Sequence, residues 1–101
     1  MSKPRTNPHL AVVIQVVSEF YGLSDIASSV RSYPYNVARG LICYLMYERV
    51  NGAEIGRQIG LERNTVRDRY RAIKAEVKAC PKGATAVDLR LIENELNQKK
   101  D

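Results

Sequence analysis

Apolar residues recur along the chain at the three- and four-residue spacing of helices. Leu10, Val13, Val17, Phe20 and Tyr21 follow Pro8 on one face, and Val12, Ile14 and Val16 widen it, which predicts a broadly buried first helix. Pro8 suits its start and Gly22 its stop. Ser24-Asp25 predicts a cap for a short second helix running to Val30. Residues 31–35 read as a loop, because Pro34 pushes Tyr33 away from helical angles. Asn36 then predicts the N-cap of a helix over 37–50, with Leu41, Tyr44 and Leu45 inward and Asn51-Gly52 as its end.

The next segment has the pattern of two short helices meeting at a tight corner. Ile55 and Ile59 lie one turn apart, and Gly56 between them leaves room for a close crossing. Gly60 marks the turn, where a positive φ is cheap only for glycine. Leu61 fills the corner, and Glu62 is placed to cap the following helix or to stabilise its positive end. Val66, Tyr70, Ile73 and Val77 then form a stripe. The expected fold is all-α, a small helical bundle with an embedded helix-turn-helix. The expected division is a tail over 1–8, a DNA-binding domain over 9–79, and a linker with a C-terminal amphipathic helix over 80–101. That last helix has a capping-box pattern at Thr85-Ala-Val-Asp88 and one narrow stripe, Leu89, Ile92 and Leu96. It has three possible destinations: back on the bundle, against a twin helix, or on a partner protein.

Charge sharpens this picture. The 101 residues carry a net +5. Eight basic and three acidic residues between Arg57 and Lys82 account for the whole excess. A neutral body with one basic segment points to a localised polyanion contact. On the outward face of the last corner helix, Arg63, Asn64, Arg67 and Asp68 are the expected base readers. Arginine pairs with guanine, asparagine with adenine, and a carboxylate accepts from cytosine. Arg57, Thr65, Arg71, Lys74 and Lys78 are the expected backbone contacts, which give affinity and register. Arg63, Arg67 and Arg71 are like charges four apart, which a face made only for solubility would avoid. Arg69, beside Tyr70, reads as a stem lying along the core edge.

Other chemistry has little support. The chain has one histidine, His9, and its two cysteines, Cys43 and Cys80, are far apart, so neither a metal site nor a cofactor is expected. No phosphate-cradling glycine motif and no nucleophile–base–acid set occurs, which argues against an enzyme. No apolar run reaches the ~20 residues of a membrane span. A reducing cytoplasm, in association with the nucleoid, is the expected location. Tyr33 and Tyr35, flanking Pro34, either donate to phosphates or pack on the edge of the bundle. They are also the best stacking groups for a single-strand or RNA binder.

Several strings together resemble the C-terminal DNA-binding domain of the bacterial replication initiator DnaA. These are Ile14-Gln-Val-Val-Ser-Glu-Phe-Tyr21, Asp25-Ile-Ala-Ser-Ser-Val-Arg31, Val37-Ala-Arg39, Tyr44-Leu45, Ala53-Glu-Ile-Gly56, Ile59-Gly60 and Thr65-Val66. The resemblance implies a monomeric, asymmetric grip on duplex DNA. In it a recognition helix enters the major groove and a basic loop, here Arg31, Tyr33, Tyr35 and Arg39, reaches the minor groove. The family's Asp-His-Thr-Thr signature is replaced by Glu62-Arg63-Asn64-Thr65 and the preceding turn is one residue shorter, which implies a different target sequence. The string from Glu54 to Val66 is also similar to sigma-factor region 4 and to response-regulator effector domains. A bacterial or phage transcription regulator is therefore the leading expectation, with an origin-binding replication protein or fragment second. A protein-interaction module that has lost DNA binding is the reading from another class. RNA polymerase, or another transcription or replication protein, is the expected partner for the C-terminal helix, and the chain is expected to be a monomer or a weak dimer.

Overall fold

A computed structural model describes residues 8–99. The chain runs through five helices: α1 (Pro8–Tyr21), α2 (Tyr35–Met46), α3 (Gly52–Ile59), α4 (Arg63–Ala79) and α5 (Ala84–Gln98). No strand occurs among the described residues. The expected tail over 1–8 lies outside them except for Pro8, which opens α1, and the last two residues of the polar C-terminal end also lie outside.

One core joins all five helices. Leu10, Val13 and Val17 of α1 meet Leu41 and Ile42 of α2, Ile55 and Ile59 of α3, Val66 and Ile73 of α4, and Leu89 and Ile92 of α5. Val16 replaces Phe20 on the buried face of α1, and Phe20 turns partly outward. Cys43 is a buried core residue of α2, and burial pushes its thiol up to about 12, which keeps it a neutral apolar filler. α2 packs most extensively against α4, and α3 against α4.

Helix ends explain where the elements start and stop. At the end of α1, Gly22 takes φ +70°, its N–H bonds the Glu19 carbonyl, and the Leu23 N–H bonds the Ser18 carbonyl at 2.8 Å. The short helix expected from Ser24 does not form, and residues 22–34 are turns. The Asp25 side chain receives the Ala27 N–H at 3.1 Å, so it caps a turn and not a helix. The physical reason lies thirteen residues away. The carbonyls of Ile26, Ser28 and Val30, at alternate positions, all point to the Arg39 guanidinium, an arrangement incompatible with a helical ladder. α2 begins at Tyr35 and ends at Met46, both earlier than expected. The Asn36 side chain accepts the adjacent Val37 N–H at 2.9 Å. Asn51, expected to close α2, instead opens α3, accepting the Ala53 N–H at 2.7 Å.

α5 folds back on the bundle between α1 and α4, burying Ala86, Leu89 and Ile92. Its expected capping box is absent. Thr85 donates to Glu76 of α4 at 2.6 Å, and Asp88 accepts from Tyr21 of α1 at 2.8 Å. Both polar side chains are spent on docking the helix, and Gly83 occupies the N-cap without a side-chain bond.

Candidate nucleic-acid interface

α3, a three-residue turn and α4 form the expected corner. Gly60 takes φ +80°, and its N–H and that of Leu61 both reach the Gly56 carbonyl, at 2.8 and 2.9 Å. Gly56 lies so close to this turn that a Cβ there would fall 2.2 Å from the Leu61 carbonyl oxygen and 3.4 Å from Val66. The approach is to the backbone of the turn as much as to the second helix. Glu62 holds the N-cap of α4 but makes no side-chain cap bond.

α4 is anchored along one stripe and open elsewhere. Val66 and Ile73 are buried, with Tyr70 and Val77 half-buried beside them. At 100° per residue, Asn64 and Asp68 flank Val66 on the opposite face, as Arg71 and Ala75 flank Ile73. All four are exposed. Arg63, Arg67, Lys74 and Lys78 run along one edge of this face, and Thr65 and Arg69 along the other. Exposed Ala72, Ala75 and Ala79 keep the far half of the helix narrow.

The expected site residues are not equally available. Arg63, Arg71 and Lys78 are exposed and make no ion pair among the described residues. Arg67 is half-exposed and lines a hollow of about 430 Å³ with Tyr47, Asn51, Arg63 and Asn64. Its Nε is buried without a hydrogen-bond partner, although Asp68 Oδ1 stands 3.5 Å away, so the pair is ionic and not a formed hydrogen bond. Lys74 lies 5.5 Å above the Tyr70 ring and donates to its hydroxyl at 3.4 Å. Tyr70 in turn donates to Glu48 and stacks on Tyr47 and Tyr44, so these tyrosines form the α2–α4 seam. Arg57 is exposed and paired with Glu54 on its own helix.

The loop residues divide. Tyr33 is 70% exposed, in edge contact with Tyr21. Tyr35 is half-buried, with the Arg39 guanidinium 5.4 Å over its ring, so it packs on the bundle. Arg39 is a correction. It is 2% exposed, and Nε, Nη1 and Nη2 donate to the carbonyls of Ile26, Val30 and Ser28 at 2.8, 2.6 and 2.6 Å. A guanidinium committed in this way builds the loop and cannot reach a groove. Arg31 is exposed and remains the loop's available cation.

Arg69 was missed. It is exposed and lines a cleft with Arg31 and Thr65. Its position four residues after Thr65, on the same edge of α4, is the sequence signal that could have placed it. A concavity of about 970 Å³ between α1, α2 and α5 contains none of these residues. No helix among the described residues is long and apolar enough to cross a membrane. Comparison with protein-family models, curated proteins and solved structures finds no match.

Proposed function

We propose that this protein is a sequence-specific duplex-DNA-binding module of the helix-turn-helix kind, acting first as a transcription regulator. α4 is its recognition helix, akin to that of the initiator's C-terminal domain but reading a different site. One observation carries the reading: a 17-residue helix that buries only Val66 and Ile73 and holds six arginines and lysines against two carboxylates. Such a surface has the chemistry of a major-groove ligand, with amide, carboxylate and guanidinium groups for bases in its first turns and cations for phosphates further along. Asn64, Asp68, Arg63 and Arg67 read bases. Arg71, Lys74, Lys78 and Thr65 hold the backbone.

Selection of bound duplexes from a random pool tests this directly and should return one enriched motif. On that motif, Asn64→Ala and Arg67→Ala should each lose about 1–3 kcal/mol and flatten the preference at one position. Lys78→Ala should weaken every duplex alike and lower the log–log salt slope by about 0.9. No enriched motif, or equal losses on selected and random duplexes for Asn64→Ala and Arg67→Ala, overturns sequence-specific reading and favours a protein-interaction module whose basic face meets an acidic partner.

A further inference from the structure

The connector between α1 and α2 closes on the turn between α3 and α4. Gly60 is the contact, since a Cβ there would lie 3.0 Å from the Ala27 carbonyl oxygen. Beside it is a cleft of about 290 Å³ lined by Arg31, Asn36, Arg39, Glu62, Thr65 and Arg69. Three guanidinium groups from three separate parts of the chain therefore border one small concavity. Glu62 is the single carboxylate among them, which leaves a net charge of +2.

The cations have little else to do. Arg31 and Arg69 make no side-chain hydrogen bond or ion pair among the described residues. Arg39 is fixed by three carbonyls, whose dipoles stabilise its charge without cancelling it. Its guanidinium is held below the usual arginine range, first by burial and then by Arg31. Arg69 adds to that effect, and Tyr35 and Asp25 oppose it. Arg39 thus feels both of the other charges. Like charges gathered around a concavity repel, and an anion in their midst removes that repulsion.

We propose that this cleft binds one phosphate group, held by the guanidinium groups of Arg31 and Arg69 and the hydroxyl of Thr65 above the fixed charge of Arg39. On duplex DNA it would take a backbone phosphate beside the groove that α4 enters, and only this second half rests on the DNA-binding reading. The cleft is small and bordered by forked guanidinium groups, which suits a tetrahedral oxyanion contacted by paired N–H donors. It lies on the opposite edge of α4 from Lys74 and Lys78, so a phosphate here would grip the duplex from a second side.

The test titrates the ¹⁵N-labelled full chain with inorganic phosphate at constant ionic strength, exchanged against chloride. Saturable shifts are expected in the amides of residues 60–65 and in the arginine Nε–H signals. They should be lost in Arg31→Ala and in Arg69→Gln, and kept in Lys78→Ala. Shifts that rise without saturating, or that persist unchanged in Arg69→Gln, overturn the site. The second arm measures the salt dependence of binding to the selected duplex. Arg69→Gln should lower the slope by about 0.9, the loss of one phosphate. An unchanged slope beside an intact phosphate titration overturns the DNA half and assigns the cleft to free phosphate. If the wild-type chain retains no duplex yet titrates saturably, the DNA-binding reading fails and the phosphate site stands.

Discussion

The turn that joins α3 to α4 has three residues, and the connector that joins α1 to α2 has thirteen. The two touch at Gly60 and Ala27, but they keep their shapes by different chemistry. The short turn is a backbone device. Gly60 supplies the left-handed conformation, Gly56 supplies the space, and neither needs a partner from elsewhere in the chain. The long connector is held from outside, by a buried arginine on α2 that gathers three of its carbonyls. A turn of the first kind is stable once its own residues are in place. A loop of the second kind exists only after α2 has docked beside it.

The largest expected effect is on the short turn. Gly56→Ala places a Cβ 2.2 Å from the Leu61 carbonyl oxygen, and backbone must move to admit it. A loss of about 3 kcal/mol is expected, measured by urea unfolding. A loss below about 1 kcal/mol would mean that the turn adapts to added bulk and that the close approach is not what defines it. Next comes the connector. Arg39→Ala removes three charge-assisted hydrogen bonds, but the freed carbonyls lie in a partly exposed segment where water replaces some of them. The expected cost is about 2 kcal/mol. Hydrogen exchange should locate the loss, with protection falling in residues 26–30 before it falls in α3 and α4. Arg39→Lys should recover less than half, because one ammonium cannot span three separated carbonyls. Full recovery would show that charge, and not the fork, holds the loop.

This contrast also explains which parts of the molecule were legible in the sequence. Gly60 at positive φ, the Val66–Ile73 stripe and the exposure of Arg63, Asn64, Asp68 and Arg71 follow from local chemistry and helical period, so residues 52–79 could be read by themselves. Asn51 was assigned to the wrong helix because Asn-Gly suits an ending as well as a beginning. Its extended backbone, φ −53° and ψ 133°, decides the matter. The helix expected over 25–30 was overridden by Arg39, a tertiary partner that no local pattern reveals. The same long-range contact explains why Arg39 itself reads as a groove-seeking cation. Its neighbours Val37 and Ala38 do not announce that it points inward at three carbonyls. Thr85 and Asp88 had the spacing of a capping box but bond Glu76 and Tyr21, again because distant groups competed for them.

The smallest effect sharpens the comparison where the long connector begins. Tyr21 is the last residue of α1, and its hydroxyl donates to Asp88 of α5 at 2.8 Å. Burial, and then the bond to this carboxylate, hold its pKa well above the ordinary tyrosine value of about 10. The unfolded chain gives up this proton near pH 10, whereas the folded chain retains it. The resulting stability is complete below pH 10 and is lost as the pH rises beyond it, by up to about 1.4 kcal/mol per pH unit for one such group. Tyr21→Phe should cost about 1 kcal/mol at pH 8. It should also flatten the fall in stability between pH 10 and pH 11.5, measured by urea unfolding at each pH. Lysines titrate in the same range in both proteins, so the difference between the two profiles isolates the tyrosine. Tyr70→Phe is the control. Its pKa is raised mainly by the bond to Glu48, but its hydroxyl is exposed on the α2–α4 seam, where solvent weakens the effect. Its profile should therefore stay closer to wild type. Equal profiles for wild type and Tyr21→Phe would show that the hydroxyl exchanges Asp88 for water, and that the connector is anchored by Arg39 alone.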